Sequence, residues 1–132
     1  MGKIKVVLVD NDPDELFFME KGFESSGLYT IVGQFPGGEE TFEFLTTTNE
    51  LPQLIVTDLN MPRINGNDIA REVSSNPLWK SIKIVVLSIT SGDMKAPAFI
   101  ENGSCVFLPK PSSLLAYQSF AADLHQQIQE SL

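Results

Sequence analysis

The chain has one cysteine, one histidine and no long apolar run. Cys105 is its only cysteine, so no intrachain disulfide is possible, and its place inside an apolar run favours a buried thiol. His125 is its only histidine and comes late in the last predicted helix, where we expect a surface or interface position. No stretch approaches the roughly 20 apolar residues of a membrane span.

Basic residues are also scarce. The sequence has 9 lysines and arginines against 17 acidic residues, for a net charge of −8. Nucleic acids and anionic membranes bind basic surfaces, so neither is expected as a direct partner. No signal peptide is visible, and we expect a cytoplasmic protein. The 132 residues predict one domain over residues 1–132.

Short apolar runs alternate with helical patterns along the whole chain. The first run has no polar alternation, as expected for a parallel strand buried on both faces. The predicted strands are Ile4 to Val9, Tyr29 to Phe35, Leu54 to Asp58, Lys83 to Ser88 and Ser104 to Leu108. Five strands alternating with five helices predict an α/β fold with a doubly wound parallel sheet.

Capping signals set the predicted helix ends. Asp12 followed by Pro13 predicts the start of the first helix, and Gly27 its end. The second predicted helix carries Phe42 and Leu45, and the third is capped by Asn67 and ends at Asn76-Pro77. A weak helix is predicted from Asp93 to Asn102, and a last helix capped by Ser112 or Ser113.

Four predicted strands run into polar groups. Asp10 follows the first strand, Asp58 ends the third, Ser88 ends the fourth, and Lys110 follows the last. In doubly wound sheets, ligands bind outside the carboxyl ends of the strands, where the strand order reverses. These four residues therefore predict a single site.

The chain resembles the receiver domains of two-component response regulators, the CheY-like family, from about Lys3 to Glu130. The motifs that carry the resemblance are Val9-Asp10-Asn11-Asp12-Pro13-Asp14, Asp58-Leu59-Asn60-Met61-Pro62 with Gly66, Leu87-Ser88, and Phe107-Leu108-Pro109-Lys110-Pro111. The resemblance implies a flavodoxin-like three-layer sandwich.

The resemblance also implies roles for individual residues. Asp58 would accept a phosphoryl group as a nucleophile. A Mg²⁺ ion would be held by Asp10, Asn11, Asp58 and the carbonyl of Asn60, since Mg²⁺ favours a few carboxylates together with phosphate oxygens and water. We interpret Asp12 and Asp14 as acids at a helix N-terminus, where the helix dipole favours negative charge.

The switch residues follow from the same resemblance. Lys110 would reach the phosphoryl group, with a cis peptide bond to Pro111. Ser88 would move toward a phosphoryl oxygen, and Phe107 takes the place of the aromatic residue whose inward swing reports phosphorylation.

The implied function is a phosphorylation switch that receives its phosphoryl group from a sensor histidine kinase or a histidine phosphotransfer protein. It would act on an unknown output protein and catalyse only its own phosphorylation and dephosphorylation. We expect a stand-alone receiver, with no output segment after Leu132.

Two residues depart from the family pattern and support an alternative. Asn11 takes a position at which the family usually has a second metal-binding acid. Ile89 takes a position at which a small residue is common, and its branched side chain could narrow the entry to Asp58. Both would weaken the switch, so a pseudo-receiver that binds partners independently of phosphorylation stays open. A nucleotide or flavin binder is disfavoured, because acids occupy the first loop and no glycine-rich phosphate loop follows the first strand.

Overall fold

The computed structural model describes residues 2–89 and 105–131, and these form a five-stranded sheet flanked by helices. The strands are β1 (Ile4–Val9), β2 (Tyr29–Phe35), β3 (Leu54–Asp58), β4 (Lys83–Ser88) and β5 (Cys105–Pro109). All neighbouring strands pair in parallel, in the order β2-β1-β3-β4-β5. The predicted doubly wound sheet is confirmed, and the order reverses between β1 and β3.

The helices in the described residues are α1 (Pro13–Ser26), α2 (Gly38–Thr47), α3 (Gly66–Ser75) and α4 (Leu114–Ser131). One apolar cluster joins the sheet to α1 and α4, and a second joins it to α2 and α3, so the protein has three layers. The predicted helix from Asp93 to Asn102 lies outside the described residues, as does Ser104. None of the helices described is long and apolar enough to cross a membrane.

The caps of α1 follow the sequence signals. Asp12 accepts a hydrogen bond from the Asp14 backbone N–H at 2.9 Å, and Pro13 is the first helical residue. Gly27 ends the helix with a left-handed φ of 72°. This geometry fixes the direction in which α1 leaves the carboxyl end of β1.

The predicted cap of α3 is wrong. Asn65, not Asn67, caps this helix, because its side chain accepts from the Asp68 N–H at 2.8 Å while the Asp68 carboxylate accepts from the Asn65 N–H at 3.0 Å. This reciprocal pair satisfies two backbone donors at once. The helix therefore begins at Gly66, closer to the end of β3 than predicted.

The last helix packs closely against the first. Ser113 caps α4, with its hydroxyl accepting from the Ala116 N–H at 3.1 Å. A Cβ on Gly22 of α1 would lie only 2.5 Å from the Cβ of Tyr117. The glycine therefore lets α1 and α4 approach until Tyr117 lies beside the first turn of α1.

Candidate functional site

The switch in strand order places two buried carboxylates side by side. Val9 pairs with Thr57 in the β1–β3 register, so Asp10 and Asp58 follow at the same edge of the sheet. Asp10 is fully buried and Asp58 is 6% exposed. Two buried carboxylates are stable together only beside positive charge.

Lys110 supplies that charge from the loop after β5. Its Nζ lies 3.1 Å from Asp10 Oδ2 and 3.3 Å from Asp58 Oδ1. Its backbone N–H donates to the Ser88 carbonyl at 2.9 Å, which fixes the loop to the end of β4. The structure therefore brings together three residues that the sequence predicted for one site.

The cluster shifts the ionisation of its members. Burial raises the pKa of the Asp10 carboxyl above 3.8, although the Asp12 N–H and Lys110 both favour the charged form. Burial alone would lower the pKa of the Lys110 ammonium, but its ion pairs with the Asp10 and Asp58 carboxylates outweigh this effect and raise that pKa above 10.5. Lys110 is therefore a cation at neutral pH.

Ser88 and Phe107 lie on the β4–β5 side of the site. Ser88 is buried at the end of β4 and lies opposite Pro109 in the sheet register. Phe107 is half-buried and packs against the apolar cluster beneath α2 and α3. Ile89, one of the two residues that depart from the family pattern, is 74% exposed.

The loop after β3 follows directly on Asp58. Asn60 is exposed within it, and Asn11 is exposed in the loop after β1. The Gly66 N–H donates to the Leu59 carbonyl at 3.0 Å, which folds the loop back onto the end of β3. Arg63 lies in the same loop with a left-handed φ of 64°.

The donor set fits Mg²⁺ better than a transition metal. Asp10 Oδ1 accepts from the Asp12 N–H at 2.9 Å, whereas no residue in the described part of the chain donates a hydrogen bond to the buried Oδ2, whose ion-pair partner is Lys110. Within the described residues, no group of three or more histidine, cysteine or acidic side chains could hold a metal. Two carboxylates without a histidine or cysteine ligand among the described residues are an oxygen-only, incomplete shell, which suits an ion that keeps water and phosphate ligands.

The sequence analysis missed Glu15. Its Oε1 lies 3.8 Å from the Lys110 Nζ and accepts a hydrogen bond from the Tyr117 hydroxyl at 2.9 Å. Glu15 is the third residue of α1, so a helix beginning at Pro13 already turns this position toward the end of β1. No sequence pattern around Tyr117 predicted that its side chain would contact Glu15.

The expected cis peptide bond between Lys110 and Pro111 is absent, since none of the peptide bonds in residues 2–89 and 105–131 is cis. The trans form is the more stable one for most X-Pro bonds. Here the trans chain already brings the Lys110 Nζ within 3.3 Å of both aspartates.

Comparison with known proteins is consistent with this geometry. The family model for the response regulator receiver domain matches residues 6–118. Chemotaxis protein CheV1 of Helicobacter pylori is 37% identical over 110 residues, covering 75% of this chain and 34% of that protein. Protein-glutamate methylesterase/protein-glutamine glutaminase 3 of Geobacter sulfurreducens is 28% identical over 130 residues, covering 97% of this chain and 34% of that protein. The chain thus spans about a third of both relatives.

Solved structures give the same fold. The receiver domain of the response regulator NarL from Mycobacterium tuberculosis superposes with a TM-score of 0.70 at 22% identity, covering 96% of this chain and 98% of that one. RcsB from Salmonella typhimurium gives a TM-score of 0.72 at 19% identity, covering 98% of this chain and 61% of that one. With the match of the family model to most of its length, the chain belongs to the response regulator receiver domain family.

Proposed function

We propose that this receiver domain is a phosphorylation switch that accepts a phosphoryl group on Asp58. The observation that carries the proposal is the buried triad of Asp58, Asp10 and Lys110, in which one ammonium lies within 3.3 Å of both carboxylates. Burial keeps water from competing for the acceptor, and the lysine offsets the charge that builds on phosphoryl oxygens.

The transfer itself requires only a few groups. An Asp58 carboxylate oxygen attacks the phosphorus of a phosphohistidine, the P–N bond breaks, and the imidazole nitrogen keeps the electron pair. Asp10, Asn11 and the Asn60 carbonyl would hold Mg²⁺ together with Asp58, and the ion would neutralise phosphoryl oxygens. Lys110 and Ser88 would then contact the new phosphoryl group.

The phosphoryl donor would be a sensor histidine kinase or a histidine phosphotransfer protein. The domain would act in the cytoplasm. An output protein would recognise the surface that changes when Ser88 and Phe107 shift. The chemistry of the domain would be limited to its own phosphorylation and dephosphorylation. Among the relatives, the methylesterase is three times as long as the matched segment, and its activity is not assigned to this chain.

Intact mass spectrometry after incubation with acetyl phosphate and Mg²⁺ tests the proposal. We expect one added phosphoryl group, retained in the control variant Asp14→Ala and lost in Asp58→Ala. Asp14 is a suitable control because it is an exposed acid in the first turn of α1. Absence of the adduct from the parent protein with both a small donor and a phosphohistidine protein would contradict the proposal and favour the pseudo-receiver.

A further inference from the structure

Glu15 connects the candidate site to a tyrosine in the interior of the protein. Tyr117 is fully buried in α4, and its hydroxyl donates to Glu15 Oε1 at 2.9 Å. The same oxygen faces the Lys110 Nζ at 3.8 Å, and the Glu15 side chain is 27% exposed. A buried hydroxyl, a half-buried carboxylate and the site ammonium therefore form one continuous polar chain.

The packing of α1 on α4 keeps this chain in place. Gly22 lets the two helices approach closely, and the Tyr117 ring packs edge-on against Phe120 with centroids 6.4 Å apart. Burial and the neighbouring Glu15 carboxylate raise the pKa of the Tyr117 hydroxyl above 10.0, so it remains a proton donor. A donor held by packing on all sides also fixes the carboxylate that accepts from it.

We propose that Glu15 and Tyr117 are positioning residues that hold the Lys110 ammonium at the site when Mg²⁺ and a phosphoryl group are bound. This inference rests on the proposed function. Asp10 and Asp58 would hold Mg²⁺, and Asp58 would also carry the phosphoryl group. Among the described residues that pair with Lys110, Glu15 would then be the carboxylate still available to it.

The need for such a residue follows from the lysine side chain. Lysine is a point charge on a flexible four-carbon stem, and confining it costs side-chain entropy. Its anchors in the unliganded protein are the two aspartates, which are the residues that binding consumes. Glu15 is a third carboxylate, held in place by its hydrogen bond to Tyr117 of α4. It keeps the Lys110 ammonium directed toward the site while the two aspartates bind Mg²⁺ and the phosphoryl group.

The first test compares the affinity for beryllofluoride with Mg²⁺, a phosphoryl mimic, by isothermal titration. We expect Glu15→Gln and Tyr117→Phe each to weaken binding about two- to fivefold, the range of a partly exposed ion pair. The double variant should be no weaker than Glu15→Gln alone, because the tyrosine acts through the glutamate.

The chain offers a matched control for each change. Tyr29 is a second buried tyrosine whose hydroxyl donates to α4, to the Ala121 carbonyl at 2.8 Å. Tyr29→Phe should lower the free energy of unfolding to a similar extent as Tyr117→Phe but leave the affinity unchanged. Asp14→Asn removes one charge from the same helical turn as Glu15 and should also leave the beryllofluoride affinity unchanged.

A second readout does not depend on phosphorylation. Reductive methylation followed by peptide mass analysis measures how accessible the Lys110 amine is in the free protein, with exposed Lys80 as the internal reference. We expect Lys110 to react faster, relative to Lys80, in Glu15→Gln and Tyr117→Phe than in the parent, and not in Tyr29→Phe.

Two results would overturn the inference. The first is an unchanged beryllofluoride affinity together with an unchanged Lys110 reactivity in both Glu15→Gln and Tyr117→Phe. The second is an equal loss of affinity in Tyr117→Phe and Tyr29→Phe, which would show a purely structural role. If the parent protein does not bind beryllofluoride at all, the proposed function fails. The methylation rates then decide the positioning role alone.

Discussion

Gly66 lies directly against the backbone of the candidate acceptor, Asp58. A Cβ at Gly66 would come within 2.6 Å of the Asp58 carbonyl oxygen and 3.0 Å of the Leu59 Cα. Both contacts are with backbone atoms, which cannot move aside as a flexible side chain would. The end of β3 and the start of α3 thus depend on a residue without a side chain.

We therefore expect Gly66→Ala to destabilise the protein by about 1 to 3 kcal/mol, the usual cost of overpacking. The measurement is the free energy of unfolding in urea. Gly37→Ala is the control, because a Cβ there would meet only the end of the flexible Glu40 side chain at 3.1 Å. Equal stability of Gly66→Ala and the parent would show that the β3–α3 loop can relax without cost.

Arg63 carries backbone strain in the same loop. Its φ is 64°, a conformation that costs a residue with a Cβ about 1 to 2 kcal/mol. Its ion pair with Glu39 at 2.8 Å is largely exposed and contributes little. We expect Arg63→Gly to be more stable than Arg63→Ala by about 1 kcal/mol in urea unfolding.

Arg71 provides the opposite control. It is another exposed arginine paired with an acid, but it lies inside α3, where glycine is about 1 kcal/mol less favourable than alanine. Arg71→Gly should therefore be less stable than Arg71→Ala. The same order of stability at both positions would argue against strain at Arg63.

Local signals in the sequence predicted most of the fold. Strand ends, the Asp12-Pro13 start and the Gly27 stop each depend on a few adjacent residues, and the structure agrees with them except at the last strand, which ends at Pro109 instead of Leu108. The choice between Asn65 and Asn67 was also decidable locally. A reciprocal cap needs an acid three residues on, and Asn65 has Asp68 there whereas Asn67 has Ala70.

The contact between Glu15 and Tyr117 could not be predicted in this way. The two residues are 102 positions apart in sequence, and their meeting depends on how closely α1 packs against α4. Tyr117 fits an apolar helix face equally well as an ordinary core residue. Only the tertiary structure reveals that its hydroxyl reaches the candidate site.

The single thiol should be inert in the folded protein. Cys105 is 4% exposed, and burial raises its pKa from 9.0 to about 11. We expect its reaction with an aromatic disulfide reagent at neutral pH to be slow in the native state and fast in urea. Rapid reaction without denaturant would contradict the buried position.

The raised pKa of Cys105 also predicts a pH dependence of stability. Between 9.0 and about 11, the unfolded thiol loses its proton while the folded thiol keeps it. The free energy of unfolding must therefore fall as pH rises through this range. Cys105→Ala should reduce the slope of that fall, whatever its effect on stability at neutral pH.

The exposed amide of Asn11 predicts weak binding of Mg²⁺ to the free protein. Asn11→Asp adds one negative charge beside Asp10, and we expect it to tighten Mg²⁺ binding by on the order of 1 kcal/mol or more. Without metal, the extra carboxylate should repel the buried acids and lower the thermal midpoint. With Mg²⁺ the midpoint should rise more than in the parent, because the metal binds only the folded state.

The control for this prediction is Asn49→Asp, which adds the same charge in the exposed loop before β3, at the opposite end of the sheet. It should change neither the Mg²⁺ affinity nor the size of the Mg²⁺-induced rise in the midpoint. Because both variants carry the same added charge, the comparison distinguishes an effect at the loop after β1 from an effect of net charge. Equal Mg²⁺ affinities for Asn11→Asp and the parent would remove Asn11 from the metal site.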